Sequence, residues 1–129
     1  MKVCIRLNGT SDVAWHKITF SDTGSLFETF PDVQFYDYTP NPDRMGNVPP
    51  NYHLTFSRKE DNDEVSKWIL NKGHNVAVVF RNKLPDTWHG RPVIDGDVSD
   101  LRFNDGHNVV VGLIAKGKAR KDTSGFVID

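Results

Sequence analysis

The stretch Val76–Phe80 reads VAVVF and the stretch Val109–Ala115 reads VVVGLIA, so both are apolar without interruption. A continuous run of β-branched residues is typical of a strand that is covered on both faces, as in a parallel sheet. A half-exposed antiparallel strand would instead alternate apolar and polar residues. The longer run also fits a buried helix, but together the two runs predict the central strands of a mostly parallel sheet.

Further apolar segments carry the same strand signature, because they are rich in β-branched or aromatic residues and bounded by Gly, Pro, Asn or Asp. These segments are Val3–Leu7, Val33–Tyr38, Tyr52–Phe56 and Pro92–Ile94.

Helices are predicted between the strands. The clearest covers about residues 63–72, where Val65, Trp68 and Ile69 share one face and Gly73 supplies the left-handed stop. A shorter helix is predicted after Ser11 and Asp12, and one or two helical turns over residues 25–30.

Strands that alternate with helices imply parallel pairing through right-handed crossovers. The 129 residues suit one domain, and 37% hydrophobic with 26% charged residues excludes a disordered or fibrous chain. We therefore predict a single α/β domain over residues 1–129. Its mostly parallel sheet is built from β-α-β units and forms an open sheet or a partial barrel.

The charge balance and the apolar pattern restrict the partners of the chain. A net charge of −1 gives no general attraction to nucleic acid or to anionic lipid. No apolar run approaches the roughly 18 residues of a membrane span, and Arg6 interrupts the N-terminal apolar run where a signal peptide would need its core. We expect a cytoplasmic protein, in the host cell if it comes from a phage, with neither membrane nor nucleic acid as its main partner.

Polar side chains follow the predicted strands at their carboxyl ends. Because that edge of a parallel sheet collects loops and helix N-termini, ligands bind there. The polar residues at this edge predict a shared site, although strand ends become polar in any case when they leave the core. The predicted ligand-binding residues are Asn8, Thr10, Asp12, Ser57, Asp97 and Lys116, and the predicted catalytic residues are Asp37, Arg58 and Asp95.

Each charged residue of this set has a chemical role and a structural alternative. Arg58 and Lys116 would hold negative charge, whereas Asp37, between two tyrosines, would act as a desolvated base or simply as a buried partner of one of those cations. Asp95 and Asp97 offer oxygen ligands to Mg²⁺, or form a turn paired to the nearby Arg102. The segment lacks the EF-hand pattern, so no metal ligand is assigned.

Two further features have open interpretations. Asp12 or its neighbour is as well suited to capping a helix as to binding an anion. The proline-rich segment at residues 39–50 is either a stiff surface excursion or a functional loop.

Several segments, taken in order, resemble the carboxyl-terminal part of a family of uncharacterised bacteriophage and prophage proteins. The resemblance implies that longer relatives carry a cysteine-rich segment ahead of this part, with a strand–helix succession loosely similar to the radical-SAM partial barrel. Because the chain has the single cysteine Cys4, we expect no three-cysteine cluster here. The segments that carry the resemblance are Arg6–Asp12, Phe35–Thr39, Tyr52–Ser57, Val76–Phe80, Val93–Asp97 and Val111–Gly117.

Two functions fit these observations. The first is a phage-type protein whose strand-end pocket binds a small anionic or nucleotide-like ligand, with or without a divalent metal. The second is a non-catalytic phage protein that binds and inhibits a host protein. A third hypothesis is a fragment of a longer enzyme. The sequence does not decide between catalysis and binding, and it specifies no cofactor.

Overall fold

The computed structural model describes residues 3–8, 12–20, 24–46 and 48–129. In chain order the strands are β1 (Cys4–Arg6), β2 (Thr19–Phe20), β3 (Gly24–Ser25), β4 (Gln34–Thr39), β5 (Tyr52–Ser57), β6 (Val76–Phe80), β7 (Thr87–Trp88), β8 (Arg91–Asp95), β9 (Val110–Ile114) and β10 (Val127–Ile128). The α-helices are α1 (Leu26–Thr29) and α2 (Asp63–Asn71). Short 3-10 turns occur at Trp15–Lys17, Pro42–Arg44, Arg102–Asn104 and Gly117–Lys121.

Eight of these strands form one open sheet, in the order β1-β4-β5-β6-β9-β8-β7, with β10 also paired to β6. All of its pairs are parallel except that of β7 with β8. The mostly parallel sheet is thus confirmed, and each of the predicted strand segments forms a strand. The continuously apolar β6 and β9 lie at its centre, which explains why they need apolar side chains on both faces.

The prediction that β-α-β units build the sheet holds only in part. Within the described residues the one regular unit is β5–α2–β6, whose helix has nine residues. The helix predicted after Ser11 and Asp12 is instead the 3-10 turn Trp15–Lys17. Hydrogen bonds from Asn8 to Val13 and from the Trp15 indole to Asn8 tie this segment to the end of β1, so tertiary contacts override its helical pattern.

Helix α2 forms where the sequence predicts it. Asp63 and Glu64 occupy its first turn, and Gly73, at φ 93°, follows its end. Trp68 is 52% exposed, whereas Ile69, predicted to share a face with it, is fully buried, and the Lys72 ammonium lies 5.4 Å from the Trp68 ring centroid. No helix in the described part of the chain is long and apolar enough to cross a membrane.

One face of the sheet carries the apolar core. Where α2 packs on the sheet, the core contains Phe56, Ile69, Leu70, Val76, Val78, Phe80 and Val110. A second cluster near α1 contains Phe27, Phe35, Tyr52 and Leu54. The other face is partly covered by the 3-10 turn Arg102–Asn104, whose Phe103 ring lies 5.6 Å from that of Tyr36.

The C-terminal strand β10 fills a place that β5 leaves. β5 pairs with β6 only at Val76 and Ala77, whereas β10 pairs with β6 at Val79 and Phe80. Since β9 occupies the other side of β6 along its whole length, β10 continues the row of β5. This strand was not predicted, because its partner lies far away in the sequence.

Gly112 allows β8 and β9 to pack closely, and its replacement tests this packing. A Cβ atom at position 112 would come within 2.7 Å of side-chain carbons of Leu84 and Val93. Gly112→Ala is therefore expected to lower the free energy of unfolding by about 1–3 kcal/mol, measured by urea denaturation. Val98→Ala, at an exposed position, is the control and should change it by less than about 0.5 kcal/mol. Equal stability of the two variants would contradict the packing.

Candidate functional site

A cleft of about 470 Å³ opens at the carboxyl-end edge of the parallel strands. We call it the strand-end cleft. Of the residues that the sequence predicts, it brings together Asn8, Ser57, Arg58 and Asp97. Its other charged and aromatic lining residues are Arg6, Tyr38, Lys59, Asp100 and Phe126.

Arg58 fixes one wall of the cleft. Its side chain is 8% exposed, and its Nη1 donates hydrogen bonds to the carbonyls of Gly125 (2.6 Å) and Phe126 (2.8 Å). Its Nε donates to Asp63 Oδ1 at 3.1 Å, at the start of α2. The guanidinium thus joins the end of β5, the first turn of α2 and the segment before β10.

Two cations of the cleft lie against aromatic rings. The Arg6 guanidinium is 4.9 Å from the ring centroid of Tyr38, and the Lys59 ammonium is 5.1 Å from that of Phe126. These distances are within the range of cation–π attraction. The cleft therefore presents positive charge together with flat apolar surface.

Lys116 reaches the cleft through Asp97. Its ammonium donates to Asp97 Oδ1 at 2.9 Å, and Asp97 Oδ2 accepts from the backbone N–H of Ile114 at 3.1 Å. The hydrogen bond from Lys116, followed by that from Ile114, lowers the pKa of Asp97. The same pair raises the pKa of Lys116, so the two groups stay oppositely charged near neutral pH.

Asp37 lies beneath the cleft in a buried polar network. It is fully buried and accepts hydrogen bonds from the Asn8 backbone N–H (2.7 Å), Asn8 Nδ2 (3.1 Å) and the Tyr52 hydroxyl (2.6 Å). Burial, then the hydrogen bond to Asp37, raises the pKa of Tyr52. Arg44 donates to the Tyr52 hydroxyl at 2.6 Å and pairs with Asp12. Asp37 therefore contacts Asn8 and Tyr52 and neither of the cations considered as its partners.

Of the remaining predicted residues, those that the structure describes are not among the lining residues of the cleft. Asp95 is exposed, and its Oδ1 accepts the Asp97 backbone N–H at 2.9 Å, which makes a turn. Asp12 belongs to the buried network through Arg44, and Thr10 lies outside the described residues. In the part of the chain that the structure describes, no group of three His, Cys, Asp or Glu side chains is placed to hold a metal ion.

Four residues that line the cleft were not predicted as site residues: Arg6, Tyr38, Lys59 and Phe126. The placement of Arg6 and Tyr38 follows from strand geometry. Arg6 pairs with Tyr36 across β1 and β4, and Tyr38, two residues after Tyr36, lies on the same face of the sheet. No local pattern places Phe126 in the cleft, because its position depends on the pairing of β10 with β6, which was not predicted. Lys59 lies over Phe126 and was missed with it.

A second cavity, of about 370 Å³, contains three histidines, His53, His74 and His107. We call it the histidine cavity. The sequence does not predict this grouping, because the three histidines are far apart along the chain and no two of them have the spacing of metal ligands. Burial lowers the pKa of His53, and the charges of His107 and Arg102 lower it further. Burial alone lowers the pKa of His74.

The whole chain, residues 1–129, matches the model of the family described as gene product 88. The chain belongs to the gene product 88 family. This membership fits the phage-type family that the sequence resembles, whereas the cysteine-rich segment of longer relatives and the radical-SAM likeness stay predictions. Comparison with curated proteins and with solved structures gives no match.

The buried network predicts that Asp37 stabilises this gene product 88 protein. Asp37→Ala would leave the Asn8 N–H and the Tyr52 hydroxyl without their acceptor, so the free energy of unfolding should fall by at least about 2 kcal/mol. Asp95→Ala, at an exposed carboxylate, is the matched control and should change it by less than about 0.5 kcal/mol. Chemical denaturation measures both, and an Asp37 variant as stable as the control would contradict the network.

The histidine cavity predicts a loss of stability in mild acid. His53 and His74 have folded-state pKa values below their ordinary value of 6.5, so the unfolded chain binds more protons than the folded chain as the pH falls through 6.5. The urea midpoint should therefore decrease between about pH 7.5 and pH 5.5 and level off below the folded pKa values. The double variant His53→Gln/His74→Gln should show a flatter profile. An unchanged slope would show that these histidines do not cause the decrease.

Proposed function

We propose that the strand-end cleft binds a small anionic, nucleotide-like ligand. The observation that carries the proposal is the pairing of cations with aromatic rings in one cleft, Arg6 with Tyr38 and Lys59 with Phe126. A nucleotide combines a flat ring with a phosphate, so both of its parts find complementary groups here.

The charge and size of the cleft suit such a ligand. Three cations, Arg6, Arg58 and Lys59, line it against the two carboxylates of Asp97 and Asp100, which leaves one positive charge in excess. A volume of about 470 Å³ lies within the roughly 300–1,000 Å³ of small-molecule sites.

The lining residues would divide the work by their chemistry. Base rings stack on aromatic side chains, a role for Tyr38 and Phe126. Guanidinium and ammonium groups bind phosphate oxygens, a role for Arg6 and Lys59. Arg58 uses much of its donor capacity on the carbonyls of the C-terminal segment, so its role in this proposal is to hold the wall that carries Phe126.

A divalent cation would enter with the phosphate and not before it. Asp97 and Asp100 are the carboxylates that line the cleft, and two carboxylates together with phosphate oxygens make the kind of ligand set that Mg²⁺ accepts. The proposal therefore includes Mg²⁺ as a partner of the ligand, and the titration is run with and without it.

The alternative, a surface that binds and inhibits a host protein, is favoured by a different feature. Val98 is 81% exposed and Leu101 is also exposed, and both lie on the loop that carries Asp97 and Asp100. Apolar side chains at the rim of a polar cleft suit a protein partner better than a nucleotide. Val98→Ser separates the two functions, because it alters this rim and leaves the charged lining intact.

The nucleotide proposal is tested by calorimetric titration with adenosine monophosphate, adenosine and inorganic phosphate, each with and without Mg²⁺. Adenosine monophosphate should bind more tightly than adenosine, and at 100 times Kd it should add about 2.7 kcal/mol to the free energy of unfolding. Lys59→Ala and Arg6→Ala should each weaken its binding by about threefold to tenfold.

Lys118→Ala is the matched control, because it removes an exposed lysine that does not line the cleft. Its affinity for adenosine monophosphate should equal that of the wild type. Absence of binding for all the ligands, or equal losses in the control and the cleft variants, would contradict the proposal.

A further inference from the structure

Arg102 is a buried cation with an unused donor. Its side chain is 1% exposed, its Nη2 donates to the carbonyls of Gly96 (3.0 Å) and Ser99, and its Nε lies 3.2 Å from Asp105 Oδ2. Its Nη1 is buried and has no hydrogen-bond partner within the described part of the chain, and its Nε makes no hydrogen bond there beyond the ion pair with Asp105. Buried guanidinium N–H groups are normally paired, so this one requires an explanation.

The unused Nη1 lies directly behind the wall of the strand-end cleft. Gly96 lines that cleft, and a Cβ atom on Gly96 would come within 2.6 Å of Nη1. The guanidinium therefore lies against a residue of the cleft wall, together with the side chains of Val111 and Leu113. The segment that follows, residues 97–101, is exposed at every position, and its displacement would break the hydrogen bonds of Asp97 with Lys116 and Ile114 and that of Ser99 with Arg102.

The charge of Arg102 already acts on groups that line the cleft. The hydrogen bond from Lys116 is the main cause of the lowered pKa of Asp97, and the Arg102 charge acts in the same direction. Burial raises the pKa of Tyr38, and the Arg102 charge opposes that rise. Arg102 therefore contributes positive potential at two residues that line the cleft.

We propose that Arg102 is the main anion-binding residue of the strand-end cleft, its Nη1 donating to the ligand's phosphate once the segment 97–101 moves aside. This inference rests on the proposed function and adds to it the group that selects for charge. Asp105, which pairs with Nε, then competes with the phosphate for Arg102, because its carboxylate partly neutralises the guanidinium in the absence of ligand.

A purely structural role for Arg102 makes different predictions. If the guanidinium only fastened the loop through the carbonyls of Gly96 and Ser99, its loss would affect charged and neutral ligands alike. Removal of the Asp105 charge would then weaken the loop and could not strengthen binding. The ligand-binding role predicts the opposite sign for Asp105, since an uncompensated Arg102 attracts a phosphate more strongly.

The test is calorimetric titration of the full chain with adenosine monophosphate and adenosine, after circular dichroism has shown each variant to be folded. Arg102→Gln should weaken adenosine monophosphate binding by about tenfold to a hundredfold and leave adenosine binding unchanged. Arg102→Lys should recover part of the loss. Asp105→Asn should tighten adenosine monophosphate binding by about threefold. Val98→Ser, on the same loop, is the matched control and should behave as the wild type.

The outcomes separate this inference from the proposed function. If the wild type binds adenosine monophosphate but Asp105→Asn does not bind it more tightly, Arg102 is not its anion-binding residue and the cleft proposal stands. Equal losses of both ligands in Arg102→Gln likewise overturn the inference. If Arg102→Gln does not fold, the Asp105 result alone decides. If the wild type binds neither ligand, the proposed function fails and this inference fails with it.

Discussion

The hydrogen bonds of Arg58 are the interaction on which this architecture depends. β5 leaves the sheet after Ser57, and the guanidinium of the next residue binds the carbonyls of Gly125 and Phe126, so that β10 enters the vacant place beside β6. Its bond to Asp63 fixes the start of the α2 crossover in the same step. The donors of a buried arginine are normally paired, and here their pairing holds β10 beside β6 and sets one wall of the cleft.

The same constraint divides the polar residues into two groups with different roles. Those that line the cleft, including Lys59 and Asp97, are the ones that contact the ligand in the proposed function. Asp37 is buried with three donors on its carboxylate, so it acts on the cleft only by holding Asn8 in place. In the proposed function the cleft is a binding surface, which the buried network of Asp37, Asn8 and Tyr52 supports and to which Arg102 adds positive charge.

The sequence predicts the sheet better than the site. Strands β6 and β9 follow from their apolar runs, and α2 from its acidic first turn and Gly73, because these signals are local. The gathering of Asn8, Ser57, Arg58 and Asp97 follows from the rule that parallel strands end at one edge. The pairing of β10 and the histidine cavity depend on contacts between residues distant in the chain, for which no local pattern exists. The catalytic role predicted for Asp37 followed from its expected burial alone. The three hydrogen-bond donors that satisfy its carboxylate lie on distant residues and could not be predicted.

The location of bound adenosine monophosphate decides whether the strand-end cleft is the binding site. Two-dimensional NMR of the amide and side-chain resonances, recorded while adenosine monophosphate is added to the wild type, reports which residues sense it. If the ligand binds in the strand-end cleft, saturating shifts are expected at Arg6, Tyr38, Lys59, Gly96 and Phe126, with the histidine-cavity residues His53 and His74 little affected. Shifts centred on the histidine cavity, or none at saturating concentration, would contradict the assignment of the strand-end cleft as the binding site.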